Sequence, residues 1–463
     1  MPGNQVKRAT SQIRRKIGSD KILTDPEALT CYAFDATNMR SLPSAVAFPE
    51  STEEIRAIMA LCHRFGIKVI PRGAGTGFAG GTVPLEGGVV ISTERFNRIL
   101  DIDVGQKTAV VQSGVVNAVL QREAAKHGLM FPPDPSSLEV ATIGGNVAQD
   151  AGGPRALKYG VTRNYVTGVE FITWDGSAVE PVDTMATGCL WDPLGTLMAG
   201  SEGTLGFMAR IWLRLLEKPR ALRTVLAFFA DPVDAATAVS MILASGVVPA
   251  AVELIDAVAM GCITQFVEVD IPRGAGCTLL IETDGRNGEA ADNMAVVESV
   301  LDKAKSIGYR TAESDRERED LWKMRRSISP SLARLAPNKM NEDVCVPRSR
   351  LPALVEAVGK LAKKYGLLVP TFGHAGDGNL HVNVMLDKRN RDEVRKAEAM
   401  VTELFEVTMR LDGTISGEHG IGITKMEYLP DQLGPDGIQV QDDIKRAFDP
   451  QFLINPGKVI SRS

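Results

Sequence analysis

The chain has 463 residues, 44% of them hydrophobic, with a formal net charge of −5 at pH 7, which leaves room for two or three domains and a large core. Acids and bases are interspersed and aromatics make up only 5%, so the electrostatic footprint of a nucleic-acid-binding protein is absent. Six cysteines (Cys31, Cys62, Cys189, Cys262, Cys277, Cys345) form no C-x-x-C pair, which argues against a zinc ribbon, an iron–sulfur cluster or a disulfide framework and for a reducing interior.

The basic residues Lys7, Arg8, Arg14, Arg15 and Lys16 precede no apolar run, so the opening stretch is no secretory signal and reads as a solvated amphipathic helix, with an import sequence as the alternative. Ser51-Thr52-Glu53-Glu54 has capping-box form, and the amphipathic run Ile55 to Phe65 ends at Gly66, predicting a helix that feeds a strand over 67–70. Pro71 to Thr82, PRGAGTGFAGGT, then places five glycines in twelve residues. Glycine lets backbone approach a ligand with no Cβ in the way, as a pyrophosphate requires. On its own the loop serves a structural turn equally well, and it does not fit the G-x-G-x-x-G nicotinamide fingerprint. Strands are expected at 89–92 and 108–112, with a helix from Asn117 to His127. Two further glycine clusters follow, in Phe131 to Gly153 (FPPDPSSLEVATIGGNVAQDAGG) and in Gly200 to Gly206 (GSEGTLG), the latter ahead of an apolar strand from Phe207 to Leu216. Irregular backbone of that length is usually functional.

PRGAGTGFAGG, PPDPSS with TIGGNVAQDAGG and ALKYG, and GSEGTLG, in that order, resemble the FAD-binding domain of the vanillyl-alcohol-oxidase superfamily, also called PCMH-type, over roughly Asp35 to Pro219. The resemblance implies FAD held by backbone from all three clusters. The implied contacts are Arg72, Gly73, Ala74, Gly75, Thr76, Gly80, Gly81 and Thr82 around the pyrophosphate. Pro135, Ser136, Thr142, Gly145, Asn146, Ala148, Gly152, Gly153, Glu202, Gly203 and Asn455 supply the remainder. Members that attach the flavin covalently use a histidine where this chain has Thr76, so the FAD is expected to be non-covalent.

Beyond Pro219 the glycine density falls and strands alternate with helices: 222–229, a helix over 232–244, 278–283, and a helix from Glu289 to Gly308. The stretch Ala235 to Val252 is the longest without charge and reads as a buried helix and not a membrane span, because it carries Ser240, Ser245, Gly246 and Pro249. Glu313 to Arg326 is expected to be helical, with Trp322 and Arg325 sharing one side. Val369 to Met385, VPTFGHAGDGNLHVNVM, reads as a hairpin that brings His374 and His381 together, and period two puts His381, Asn383 and Met385 on one face. Thr414 to Gly422, TISGEHGIG, presents Glu418 and His419 between glycines. Three of the chain's five histidines lie in these two motifs. Two imidazoles and a carboxylate suit a divalent metal. Spacing alone leaves open whether they ligate one or satisfy turn hydrogen bonds.

G-H-A-G-D-G-N-L-H with S-G-E-H-G-I-G resembles the D-2-hydroxyacid dehydrogenase branch of the same superfamily, which oxidises D-lactate, glycolate or D-2-hydroxyglutarate. The resemblance implies Zn2+ or Mn2+ on His374, His381 and Glu418, His419 as catalytic base, and Arg325, Asn383 and His374 as substrate contacts. Asn341 stands where enzymes acting on D-2-hydroxyglutarate have a lysine, which favours D-lactate or glycolate, although Lys339 or Arg348 lies close enough in sequence to compensate. Electrons then pass to an acceptor outside the chain: an iron–sulfur subunit, an electron-transfer flavoprotein, a cytochrome or a quinone. The implied setting is a homo-oligomer or heteromeric complex in the cytoplasm, with any attachment to the inner membrane made through partner subunits. The expected fold is α+β: an FAD-binding domain of two α+β subdomains over 1–219 with its core from about 41, an α+β cap with an antiparallel sheet and the metal site over 220–425, and a closing segment, 426–463, that returns to the FAD domain. A metal-dependent hydrolase using the same histidines leaves the early glycine clusters unexplained, and a non-catalytic flavoprotein subunit would lack the base and ligands this chain keeps.

Overall fold

The computed structural model describes residues 2–181, 192–263, 271–286 and 288–460. The chain divides into two compact units, one of Met1–Gly152, Val161–Lys218 and Glu418–Ser463, the other of Gly153–Gly160 and Pro219–Gly417.

In the first unit a four-stranded sheet contains β1 (Ile22–Leu23), β2 (Ala45–Ala47), β3 (Val69–Arg72) and β4 (Val89–Ser92), in the order β1-β2-β4-β3. β2, β4 and β3 run parallel, and they are short, almost fully buried apolar runs, as strands covered on both faces must be. The helix Thr52–Phe65 makes the crossover from β2 to β3: Ser51 Oγ accepts from Glu54 N at 3.2 Å, Gly66 closes it at φ 63°, and Ile55, Ile58, Met59 and Cys62 are its buried stripe. The second sheet contains β5 (Ile99–Asp103), β6 (Thr108–Gln112), β8 (Val166–Ile172), β9 (Ala178–Val179) and β10 (Phe207–Arg214), ordered β5-β6-β10-β8-β9 and antiparallel. Leu216, expected to extend β10, instead belongs to β11 (Leu216–Glu217), which pairs with β7 (Leu129–Met130). The closing segment rejoins the first sheet beside β3, with Val69 N donating to Leu453 O at 2.8 Å and Asn455 N to Val69 O at 2.7 Å. Asp449, buried, pins that return by accepting from Lys445 Nζ at 2.6 Å and from the amides of Leu453 and Ile454.

The second unit is built on a seven-stranded antiparallel sheet containing β12 (Ala221–Phe229), β13 (Ala251–Asp256), β14 (Cys277–Gly285), β15 (Gly308–Thr311), β16 (Asn338–Cys345), β17 (Thr371–His374) and β18 (Asn379–Leu386), ordered β15-β12-β14-β13-β17-β18-β16. The helices Pro232–Ala244, Glu289–Lys303, Leu351–Tyr365 and Arg391–Arg410 form one layer. On the other face the helix Asp315–Ser331 packs Leu321, Trp322 and Ile328 against Leu226, Leu280 and Phe372. Two expectations fail here. Ala235 to Val252 is no single helix, because it breaks after Ala244 and re-enters the sheet as β13; the helix from Glu289 ends at Lys303, and Gly308 opens β15. Continuous apolar runs fit a buried strand as well as a buried helix, which is why their period misleads. The described cysteines, Cys31, Cys62, Cys262, Cys277 and Cys345, are free, and Cys189 lies outside the described residues.

Candidate active site

In the second unit, the β17–β18 hairpin turns through Ala375–Asp377 and Gly378, at φ 80°, and aligns Phe372 with His381 across the strands. His374 and His381 are buried, and their rings meet edge to face with centroids 5.2 Å apart. Glu253 of β13 lies opposite His374, with Oε1 at 2.5 Å from His374 Nδ1. Its Oε2 accepts from Arg325 Nε at 2.6 Å, and the Arg325 guanidinium lies 4.8 Å over the Phe372 ring. Burial alone would raise the Glu253 carboxyl, but Arg325 and His374 outweigh it and hold it at about 2. One strand further out, Asp343 of β16 faces His381 and accepts from Asn379 Nδ2 at 2.5 Å and Gly417 N at 2.8 Å. A Cβ on Gly417 would fall 2.0 Å from Asn379 Nδ2, so only glycine fits there. Asn383 pairs with Asn341 across β18 and β16, accepting from Asn341 Nδ2 at 2.6 Å. Lys339 donates to Ser329 Oγ at 2.9 Å, and burial lowers its pKa to about 8. The second unit thus gathers His374, His381, Arg325 and Asn383 on one sheet face.

In the first unit the glycine loop after β3 meets the other two clusters. A Cβ on Gly73 would fall 2.3 Å from Thr142 Oγ1, the cap of the helix Ile143–Gln149, which accepts from Gly145 N at 3.2 Å. Ala148 O accepts from Glu202 N at 2.8 Å, and Asn455 Nδ2 donates to Gly81 O at 2.9 Å and Glu202 O at 3.0 Å. Arg72 braces the loop from within, donating through Nη1 to Phe34 O and Thr82 Oγ1, both at 2.9 Å, and filling the space beside Gly75. Gly80 and Gly203 take φ of 81° and 68°, open to glycine and strained for other residues. Asn146 Nδ2 is buried with no partner among the described residues, which suits a ligand acceptor. The donor set and the glycine backbone fit a flavin nucleotide. Pro135 and Ser136 lie in a turn closed by Leu138 N on Pro135 O at 2.8 Å; Gly152 ends the first stretch of this unit, and Gly153 begins a segment of the other. Ala74 and Thr76 sit in the loop between Gly73 and Gly77.

The segment that begins at Glu418 docks on the same loop. Ile421 N donates to Glu202 Oε1 at 2.7 Å and Ile423 N to Ala79 O at 2.7 Å, which brings the His419 ring to 5.0 Å from that of Phe78. Burial raises Glu202 to about 7 against the pull of the Ile421 and Gly422 amides, and lowers Lys458 to about 7 against Asp35 and Glu202.

Sequence reasoning assigned no role to Glu253 or Asp343. The available signal was a lone acid inside an apolar strand, Val252-Glu253-Leu254, which a buried strand tolerates only when the charge is paired. No helix among the described residues is long and apolar enough to cross a membrane.

Two family models match the chain. The family model for the FAD linked oxidases, C-terminal domain, matches residues 218–459, and that for an FAD binding domain matches 43–180. The chain is 40% identical to glycolate oxidase subunit GlcD of Bacillus subtilis, over 93% of this chain and 92% of that protein. It is 31% identical to D-2-hydroxyglutarate dehydrogenase of Stutzerimonas stutzeri, over 97% and 98%. With D-lactate dehydrogenase of Anaerostipes hadrus it shares 31% identity over 96% of each. The structure of p-cresol methylhydroxylase with substrate bound superposes with a TM-score of 0.79 at 17% identity, covering 99% of this chain and 97% of that one, so the two share a fold.

Proposed function

The chain belongs to the FAD-linked oxidases, and on that footing we propose that it oxidises a small D-2-hydroxyacid, D-lactate or glycolate, to the 2-oxoacid. Bound FAD supplies the acceptor for the Cα hydride, and a divalent ion, Zn2+ or Mn2+, supplies Lewis acidity that makes the α-hydroxyl easier to deprotonate. His374 and His381 with Glu418 would hold the ion. The burial of the two histidines and the 5.2 Å spacing of their rings support this, and the reading requires Glu418 to meet them. His419 accepts the hydroxyl proton on a ring nitrogen, a contribution of roughly 10²–10⁴-fold. Arg325 holds the substrate carboxylate, for which a planar guanidinium is better suited than an ammonium. Thr76 stands where a covalent attachment would need histidine, so the flavin is held by the backbone and side-chain contacts of the three glycine clusters.

The observation that supports the reading is the tie of the segment after His419 to Glu202 and to Ala79 of the glycine loop, with the His419 ring 5.0 Å from that of Phe78. Asn341 favours a monocarboxylate over D-2-hydroxyglutarate, since an amide replaces a cation. Electrons leave to an iron–sulfur subunit, an electron-transfer flavoprotein, a cytochrome or a quinone; the relative that is itself a glycolate oxidase subunit supports a heteromeric assembly.

Anaerobic mixing with D-lactate, L-lactate, glycolate, D-malate and D-2-hydroxyglutarate tests this directly. D-lactate or glycolate is expected to bleach the flavin fastest, and a flavin left oxidised by all five would overturn the proposal.

A further inference from the structure

Glu253 has no exposed surface, and Val252 and Leu254 flank it in β13. Strand register sets it opposite His374, while the helix Asp315–Ser331 delivers Arg325 to the same carboxylate. Oε1 lies 2.5 Å from His374 Nδ1, and Oε2 lies 2.6 Å from Arg325 Nε and 2.5 Å from Nη2. A guanidinium keeps its protons and an ionised carboxylate only accepts, so the proton between Glu253 and His374 belongs to Nδ1. That tautomer leaves the lone pair on Nε2. The contact with Arg325 occupies the Nε–Nη2 edge of the fork and leaves the Nη1–Nη2 edge for another carboxylate.

We propose that Glu253 is a positioning residue for both ends of the substrate: one oxygen fixes His374 with Nε2 ready to ligate, and the other fixes Arg325 with its outer edge ready for the substrate carboxylate. This rests on the roles given to His374 and Arg325 above. A buried ion pair adds little net stability against an apolar replacement, so stability alone is a weak reason for an acid in this strand. Partners of this kind behind a ligating histidine set its tautomer and its affinity for metal.

The test uses the full chain with its FAD. Glu253→Gln removes the charge at constant size, and Glu253→Asp keeps the charge but withdraws it by one methylene. Titration of chelator-treated protein with Mn2+ alone, read by electron paramagnetic resonance, is expected to show affinity lowered about 10- to 100-fold in both variants, with the flavin spectrum unchanged. At saturating Mn2+, KM for the acid that reduces the flavin rises about tenfold while kcat falls less, because a ground-state contact is loosened. Parent-like Mn2+ affinity and KM in a flavin-loaded variant would overturn the proposal. The parent protein gives a second readout that needs no Glu253 variant: in chelator-treated protein labelled in its histidines, the His374 ring is expected to carry its proton on Nδ1, and an Nε2–H tautomer would overturn the proposal. A parent that binds no Mn2+ removes the metal from the proposed reaction, while the tautomer and the KM still judge Glu253.

Discussion

His419 owes its place to its neighbours in the chain. Gly422 lies so close to Ala79 that a Cβ would fall 1.9 Å from the Ala79 carbonyl oxygen, and Ile421 is tied to Glu202. The imidazole is therefore positioned by the backbone that follows it, and its chemistry is separable from flavin binding. His419→Asn is expected to retain FAD and to slow flavin reduction at least about 100-fold in stopped flow; a rate within a few-fold of the parent would take the base role away. Asn341 is oriented just as firmly. Asn383 Nδ2 donates to the carbonyls of Pro370 and His381, so its Oδ1 must face Asn341, and Asn341 must answer with Nδ2. That leaves Asn341 Oδ1, buried and with no partner among the described residues, as an acceptor on the face that carries His381. An acceptor repels a second carboxylate. Asn341→Lys is expected to raise kcat/KM for D-2-hydroxyglutarate relative to D-lactate about tenfold or more, and an unchanged ratio in steady-state assays would show that the substrate's distal end lies elsewhere. At this scale glycine and histidine were legible in the sequence, because their chemistry is local. Glu253 was not: its meaning comes from His374, 121 residues away, through a strand pairing that no local pattern encodes.

Elements join at Asp256, where β13 ends. Its carboxylate caps the helix Ala257–Gly261 by accepting from Ala259 N at 2.7 Å and also holds Thr371 N, at the start of β17, at 2.7 Å. Burial raises its pKa from 3.8 to about 6, against the pull of those amides. The folded value lies above the unfolded one, so the contribution to stability is full below pH 3.8 and is lost as pH rises through about 6. Asp256→Asn, neutral throughout, escapes that loss. Urea unfolding at pH 4 and pH 8 is expected to show the stability of the variant relative to the parent rising on the order of 1 kcal/mol between the two; parallel curves would contradict it. Elements with strong end signals were legible, as with Ser51 and Gly66 around the helix Thr52–Phe65. Elements without them were not. Ser245 and Gly246 divide helix from strand inside Ala235 to Val252, but an alanine-rich apolar run offers no period by which to tell the two apart.

Across the whole molecule the three glycine clusters and the two histidine motifs announced a flavin enzyme before any contact was known, whereas the pairing of seven strands from dispersed segments had to be seen. Chelation is expected to abolish turnover without removing the yellow colour, with activity restored by Zn2+ or Mn2+; a metal-free preparation with full activity would sink the role given to His374 and His381. The first unit is stitched from three stretches, and Asn455 clasps Gly81 from 374 residues further along. A ribosome adding about 5–20 residues each second takes roughly 20–75 s to cover that distance. Throughout that interval the nascent loop has strands but no clasp, so a stalled or prematurely released chain is expected to be colourless and open to proteases, and acquisition of the nucleotide becomes a checkpoint reached only late in synthesis.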